Sequence, residues 1–296
     1  MRFQHIIIEG PDCSGKTTLF NKIHKETGYI YNIQDRSCMS MIVYSKLYNR
    51  GIESIWYDKL LKELNRLDIL YIVLLPSEKT ILERLKIRGD ECQDENSILI
   101  VRKYYEDLLK SNLKYYPNVL LIESERLEEN CQKSISFINS LNEIPTQELI
   151  KSLVIKSGKN ELLDIKCKEK IDINNIDYTI LNNPSKNKYY NQIIDKLSNR
   201  IFLERSGLSN SRKKNKLDNR NFSYSGNENI SFVHLLWRNQ SLNVNVTLKQ
   251  TNVLKDLWSD YEFLKILSVR AAGEIFLPED VDIELTINIR SAYIVS

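Results

Sequence analysis

The chain has 296 residues, of which 42% are apolar, and its formal net charge is +3. That length allows two domains of ordinary size, and the apolar share excludes wholesale disorder. So small a charge demands no polyanionic partner, and the absence of a long apolar run leads us to expect no membrane span.

Phe3 to Ile8 is a short apolar run and reads as a buried parallel strand. It leads into Glu9-Gly10-Pro11-Asp12-Cys13-Ser14-Gly15-Lys16-Thr17-Thr18, which fits the G-x-x-x-x-G-K-[ST] phosphate-binding loop. Thr17 to Thr27 carries Leu19, Phe20 and Ile23 at helical spacing. Strand, Gly-rich turn and helix are the context that the motif requires. Gly10 and Gly15 let successive N–H groups face one anion, and the helix N-terminus adds positive charge. Residues 10–18 are therefore the expected ATP cradle. Lys16 reaches the β- and γ-phosphates there, and Thr17 holds Mg²⁺.

Tyr29 to Ile33 reads as a second strand, ending at Asp35-Arg36. A helix with Met41, Ile42 and Tyr44 follows. Ile55 to Leu67 is a further helix, with Leu60, Leu61, Leu64 and Leu67 recurring every three or four residues. Leu70 to Leu75 is a buried strand closed by Pro76, and Glu78 to Ile87 is a helix that runs into a charged break at Arg88 to Glu91. Ile98 to Leu113 is helical, Val119 to Ile122 a strand, and Leu127 to Leu141 a last helix. The alternation predicts a mostly parallel sheet with helices on both faces over residues 1–142.

Asn142 to Thr146, with Pro145, is a polar break, and residues 143–150 read as a linker. Beyond it we expect an α+β domain over 151–296. Leu153 to Ile155 and Leu162-Leu163 read as a hairpin around Ser157 to Asn160. Ile193 to Leu203 is a helix, and Ser206 to Asn221 a basic loop. Phe232 to Trp237 and the strictly alternating Leu242 to Leu248 are strands. Asp260 to Ala272 is a helix, and Val281 to Val295 supplies one or two closing strands. The five cysteines form no C-x-x-C pair and read as reduced thiols of a cytoplasmic protein, the host cytoplasm if the chain is viral.

The phosphate loop, with its internal Asp12, resembles that of the thymidylate kinase family. Asp35-Arg36-Ser37-x-x-Ser40-x-x-x-Tyr44 is similar to that family's acceptor-binding Asp-Arg segment, and Arg84 and Arg88 resemble its arginine-bearing lid. The resemblance implies phosphoryl transfer from ATP with Mg²⁺. Lys16, Arg36, Arg84 and Arg88 supply charge, Asp12 or Asp35 orients the acceptor, and Ser40 and Tyr44 line its site. The family's long acceptor-binding insertion is missing between Lys16 and Asp35. Residues 187–296 remotely resemble the end of thymidylate synthase, with Arg212, Lys249, Asn252 and Asp260 at its nucleotide-binding positions. No cysteine follows Cys167, so methyl transfer by a thiolate is excluded. This half would hold a pyrimidine nucleotide or form a homodimer interface. The expected acceptor is a deoxypyrimidine nucleotide. The alternatives are hydroxymethyluracil within DNA, as in phage kinases of this type, and a nucleotide-binding regulatory protein.

Overall fold

The computed structural model describes residues 3–88, 94–111, 113–156, 161–171, 176–177, 190–196, 220–225, 230–238, 241–252, 256–275 and 282–293. The chain divides into two compact units, Met1–Lys159 and Asn160–Ser296.

The first unit is built on four parallel strands in the order β2-β1-β3-β4. They are β1 (His5–Glu9), β2 (Asn32–Asp35), β3 (Ile69–Leu74) and β4 (Val119–Ile122). Every residue of β3 is buried, as a central strand covered on both faces must be. Ile8 lies opposite Asp35 on one side and Ile72 on the other, so the carboxyl ends of three strands meet at one edge. Around the sheet lie α1 (Lys16–Glu26), α2 (Cys38–Leu47), α3 (Glu53–Leu64), α4 (Glu78–Arg88), α5 (Glu95–Lys110), α6 (Leu127–Glu143) and α7 (Thr146–Lys156). Helix α1 packs on α6, and α2 packs on α3 and α5. Asn142, at the end of α6, accepts the Phe3 amide at 3.2 Å and ties that helix to the residues leading into β1.

The second unit carries a mixed sheet in the order β5-β10-β8-β7-β6. Its strands are β5 (Glu161–Lys170), β6 (Arg220–Ser225), β7 (Ile230–Arg238), β8 (Ser241–Leu248), β9 (Thr251–Asn252) and β10 (Asp282–Tyr293). Strand β10 runs parallel to β8 and antiparallel to β5. Along β8 the burial alternates strictly, so Leu242, Val244, Val246 and Leu248 face the core. Residues 190–196 form α8, and Leu257–Ile275 form α9. Among the described residues, no helix is long and apolar enough to cross a membrane.

Three expectations need correction. Residues 146–156 are a helix and not a linker followed by a strand, because Leu149, Ile150, Leu153 and Val154 bury one helical stripe. Strand β2 starts at Asn32 and not at Tyr29, because Gly28 (φ 62°) and Tyr29 (φ 61°) make a left-handed turn that closes α1. The Tyr29 amide bonds the His24 carbonyl at 3.0 Å there, and the Tyr29 ring stacks on His24. Residues 220–225, placed partly in a basic loop, are strand β6. The remainder of that loop, 206–219, lies outside the described residues.

Candidate active site

The loop between β1 and α1 must bend back past the end of β3. A Cβ on Gly10 would sit 2.3 Å from the Leu74 carbonyl oxygen, and the residue has φ 139°. Only glycine fits there, since both the contact and the backbone exclude a side chain. Gly15 (φ 99°) caps α1, and the Leu19 amide makes the first helical bond to its carbonyl at 3.0 Å. The amides of Lys16, Thr17 and Thr18 are thus first-turn donors without intrahelical partners. No acidic residue occupies the first turn, so the helix end is electropositive.

Lys16 is 6% exposed. Its ammonium donates to the Pro11 carbonyl at 2.7 Å and lies 4.0 Å from Asp12 Oδ1. Burial, then the charge of Arg36, lowers its pKa to about 8, against the pull of Asp12, Asp35 and Glu9. Burial therefore disfavours the charged ammonium more than the neighbouring carboxylates favour it. The hydroxyl of Ser14 is also buried and has no hydrogen-bond partner among the described residues.

These groups line a cavity of about 740 Å³. Asp12, Cys13, Ser14, Gly15, Lys16, Thr17 and Thr18 form its floor. Asp35 and Arg36 close one side, and Arg84, Arg88, Glu125 and Asn130 the other. Arg84 donates to the Cys13 and Ser14 carbonyls at 3.3 and 3.0 Å, and to the Glu125 carbonyl at 3.1 Å. It therefore places a guanidinium beside the loop and ties α4 to the turn after β4. Arg88, one helical turn on, is exposed at the cavity rim.

Arg36 has φ 69°, an uncommon conformation for a residue with a side chain, and its amide still continues the ladder to Ile8 at 2.9 Å. Its guanidinium donates to Asp12 Oδ1, while the Tyr44 hydroxyl donates to Asp12 Oδ2 at 2.7 Å. Asp12 is thus gripped between β2 and α2, and it sets the position of Arg36. Asp35 is exposed at the end of β2, inside the cavity lining.

Glu9 has no exposed surface, and pattern reading assigned it no role. Its Oε1 accepts the Ser37 and Ser40 amides at 2.6 and 3.2 Å, and its Oε2 accepts the Ser40 and Tyr105 hydroxyls at 2.5 and 2.9 Å. The last residue of β1 therefore caps the N-terminus of α2, a task usually left to the helix's own flanking residue. Burial raises its pKa although all four bonds favour the charged form. The signal was present in the sequence as an acid at the end of an apolar strand, but nothing local names its partners.

Ser40 corrects an expectation. It is 4% exposed and bonds Glu9 and Tyr105, so it positions α2 and does not line the cavity. In the second unit, Asp260 is 3% exposed and accepts the Tyr190 hydroxyl at 2.9 Å, while the Tyr190 ring stacks on Phe263 at 3.9 Å. It joins α8 to α9. Lys249 is exposed beyond β8, Asn252 is buried on β9, and Arg212 lies outside the described residues.

No family model matches the chain, and no curated protein does. Solved structures of deoxyadenosine kinase from M. mycoides are similar to it. The form with bound dATP shares 18% identity at a TM-score of 0.35, spanning 46% of this chain and 99% of that one. The form with dCMP and dCDP shares 18% at 0.32, with the same coverage. These likenesses concern fold and say nothing of chemistry here, which rests on the cavity itself.

Proposed function

We propose that the first unit transfers the γ-phosphoryl group of ATP to a deoxypyrimidine nucleotide, with a deoxynucleoside monophosphate as the acceptor. One observation carries the reading: the buried Lys16, the undercovered end of α1 and three arginines surround a single cavity that also holds an open carboxylate, Asp35. Phosphoryl transfer needs positioning and charge neutralisation more than covalent chemistry, and those are the parts present.

The loop amides and Lys16 hold the β- and γ-phosphates. The cradle fits Mg²⁺–ATP, because the first-turn amides of α1 have no intrahelical partners and Thr17 is exposed beside them. Among the described residues no cluster of three His, Cys, Asp or Glu could hold a metal. Thr17 would therefore share Mg²⁺ with the phosphates, the usual arrangement for this ion, which when bound neutralises developing charge. Arg84 and Arg88 approach the transferring group from α4. Arg36, oriented by Asp12, meets the acceptor from β2. The bond from the γ-phosphorus to its bridging oxygen breaks, the acceptor oxygen bonds to phosphorus, and ADP departs. A phosphate acceptor is already ionised and needs no base. An alcohol would give its proton to Asp35.

The test is labelled ATP with dTMP, dUMP, dCMP and hydroxymethyl-dUMP, and in parallel with unmodified and hydroxymethyluracil-containing DNA. Transfer to a pyrimidine nucleotide, lost in Lys16→Ala, is expected. Folded protein that binds ATP but labels none of these acceptors would refute the proposal.

A further inference from the structure

The segment from Arg36 through α2 to Arg50 carries rings and cations that extend beyond the phosphate cavity. From Arg36 to Ile52 the chain has three cations, Arg36, Lys46 and Arg50, and no acid. Aromatic rings alternate with them in space. The Arg36 guanidinium lies 5.2 Å from the centre of the Tyr44 ring. Tyr44 and Tyr48 stack with centroids 6.3 Å apart, inclined at 22°. The Arg50 guanidinium lies 5.0 Å from the Tyr48 ring, and the Lys46 ammonium 4.2 Å from the Tyr104 ring of α5. The row begins in the cavity, where Arg36 lines the wall, and ends in solvent. Tyr48 is 54% exposed, and Lys46 and Arg50 are exposed as well.

Tyr rings that serve the fold bury their faces, as Tyr71 and Tyr105 do at 0% exposure. Tyr48 does not. A free mononucleotide at Asp35 and Arg36 would also leave the outer half of the row idle. Rings that offer a π-face to any base, interleaved with cations that meet phosphates, are the chemistry of a single strand's binding surface. A duplex keeps its bases stacked on each other and withholds those faces.

We propose that this surface, from Arg36 through α2 to Arg50, docks a single-stranded polynucleotide beside the cavity. The proposal rests on the reading of Asp35 and Arg36 as the acceptor side. Bases stack along Tyr48, and Arg50 takes the backbone phosphates.

The test is fluorescence anisotropy of the full chain with fluorescein-labelled oligodeoxythymidylate, an RNA strand of equal length, and a DNA duplex, across a series of salt concentrations. The wild type should bind a single strand more tightly than the duplex, and more weakly as salt rises. Tyr48→Ala and Arg50→Glu should each weaken single-strand binding about tenfold. The control is Tyr115→Ala, which removes another exposed ring with a lysine 5.1 Å away, far along the chain from α2, and it should change nothing. ATP affinity should stay constant in all three variants. No strand binding by the wild type, equal binding by Tyr48→Ala, or an equal loss in Tyr115→Ala would overturn the proposal. Strand binding without phosphoryl transfer would keep this surface and discard the kinase reading, so the two fail separately.

Discussion

Glu9 offers the sharpest test of how the site is assembled. Glu9→Gln keeps the shape and removes the charge. The Gln carbonyl can still accept the Ser37 and Ser40 amides, and its amide can donate to the Ser40 and Tyr105 hydroxyls, which rotate to accept. The variant loses charge-assisted strength but escapes the cost of a fully buried charge, so about 1 kcal/mol is expected, or roughly 2–4 °C for a unit of this size. Glu9→Ala instead leaves two backbone amides without their acceptor and the Ser40–Tyr105 hydroxyl pair one acceptor short, and about 3–5 kcal/mol should be lost. The pH dependence has a definite sign. Burial raises the Glu9 pKa above its ordinary 4.5, so the native state holds that proton more tightly than the unfolded chain. The resulting stability is complete below the unfolded value and is lost as pH rises through the folded one. Wild type should therefore outrank Glu9→Gln by more in mildly acidic solution than at neutral pH. Thermal unfolding at both pH values measures this, and hydrogen exchange of Ser37 and Ser40 reports the cap directly. If Glu9→Ala matches Glu9→Gln in stability and in exchange at those amides, Glu9 does not organise α2.

The Lys16 pKa of about 8 predicts that nucleotide binding takes up a proton in alkaline solution, because bound phosphates restore the ammonium. Affinity for ATP should be flat below that pH and fall up to about tenfold per unit above it. Calorimetry in two buffers detects the proton, Cys13→Ser should keep the slope, and Lys16→Met should abolish it. Arg36→Ala should raise the acceptor's KM or lower kcat while sparing ATP affinity; an equal loss of ATP binding would move Arg36 to the donor side. Gly10→Ala must displace the Leu74 carbonyl or the loop, at a cost of roughly 2–4 kcal/mol; unchanged stability and ATP affinity would contradict the close approach. In the second unit, Tyr190→Phe removes a donor from the buried Asp260 and should cost about 1–3 kcal/mol in thermal unfolding. No change would show that Asp260 has another role.

The phosphate loop was legible because its requirements are local. Gly10, Gly15 and Lys16 stand at fixed spacings between a strand and a helix, and one short segment contains all three. The buried strands announced themselves as apolar runs, and β8 by its alternation, since each signal follows from which face meets the core. The α7 helix was misread because four apolar residues suit either a strand or a helix until a neighbour buries one stripe. The partners of Glu9 could not be read at all. Ser37, Ser40 and Tyr105 are as many as 96 positions away, and only the packing of α2 and α5 against the end of β1 brings them to one carboxylate. Asp260 shows the same: its bond to Tyr190, 70 positions earlier, could not be read from its place in sequence. A residue type and its spacing determine what a side chain can do, but a hydrogen bond between distant segments exists only once the chain has folded.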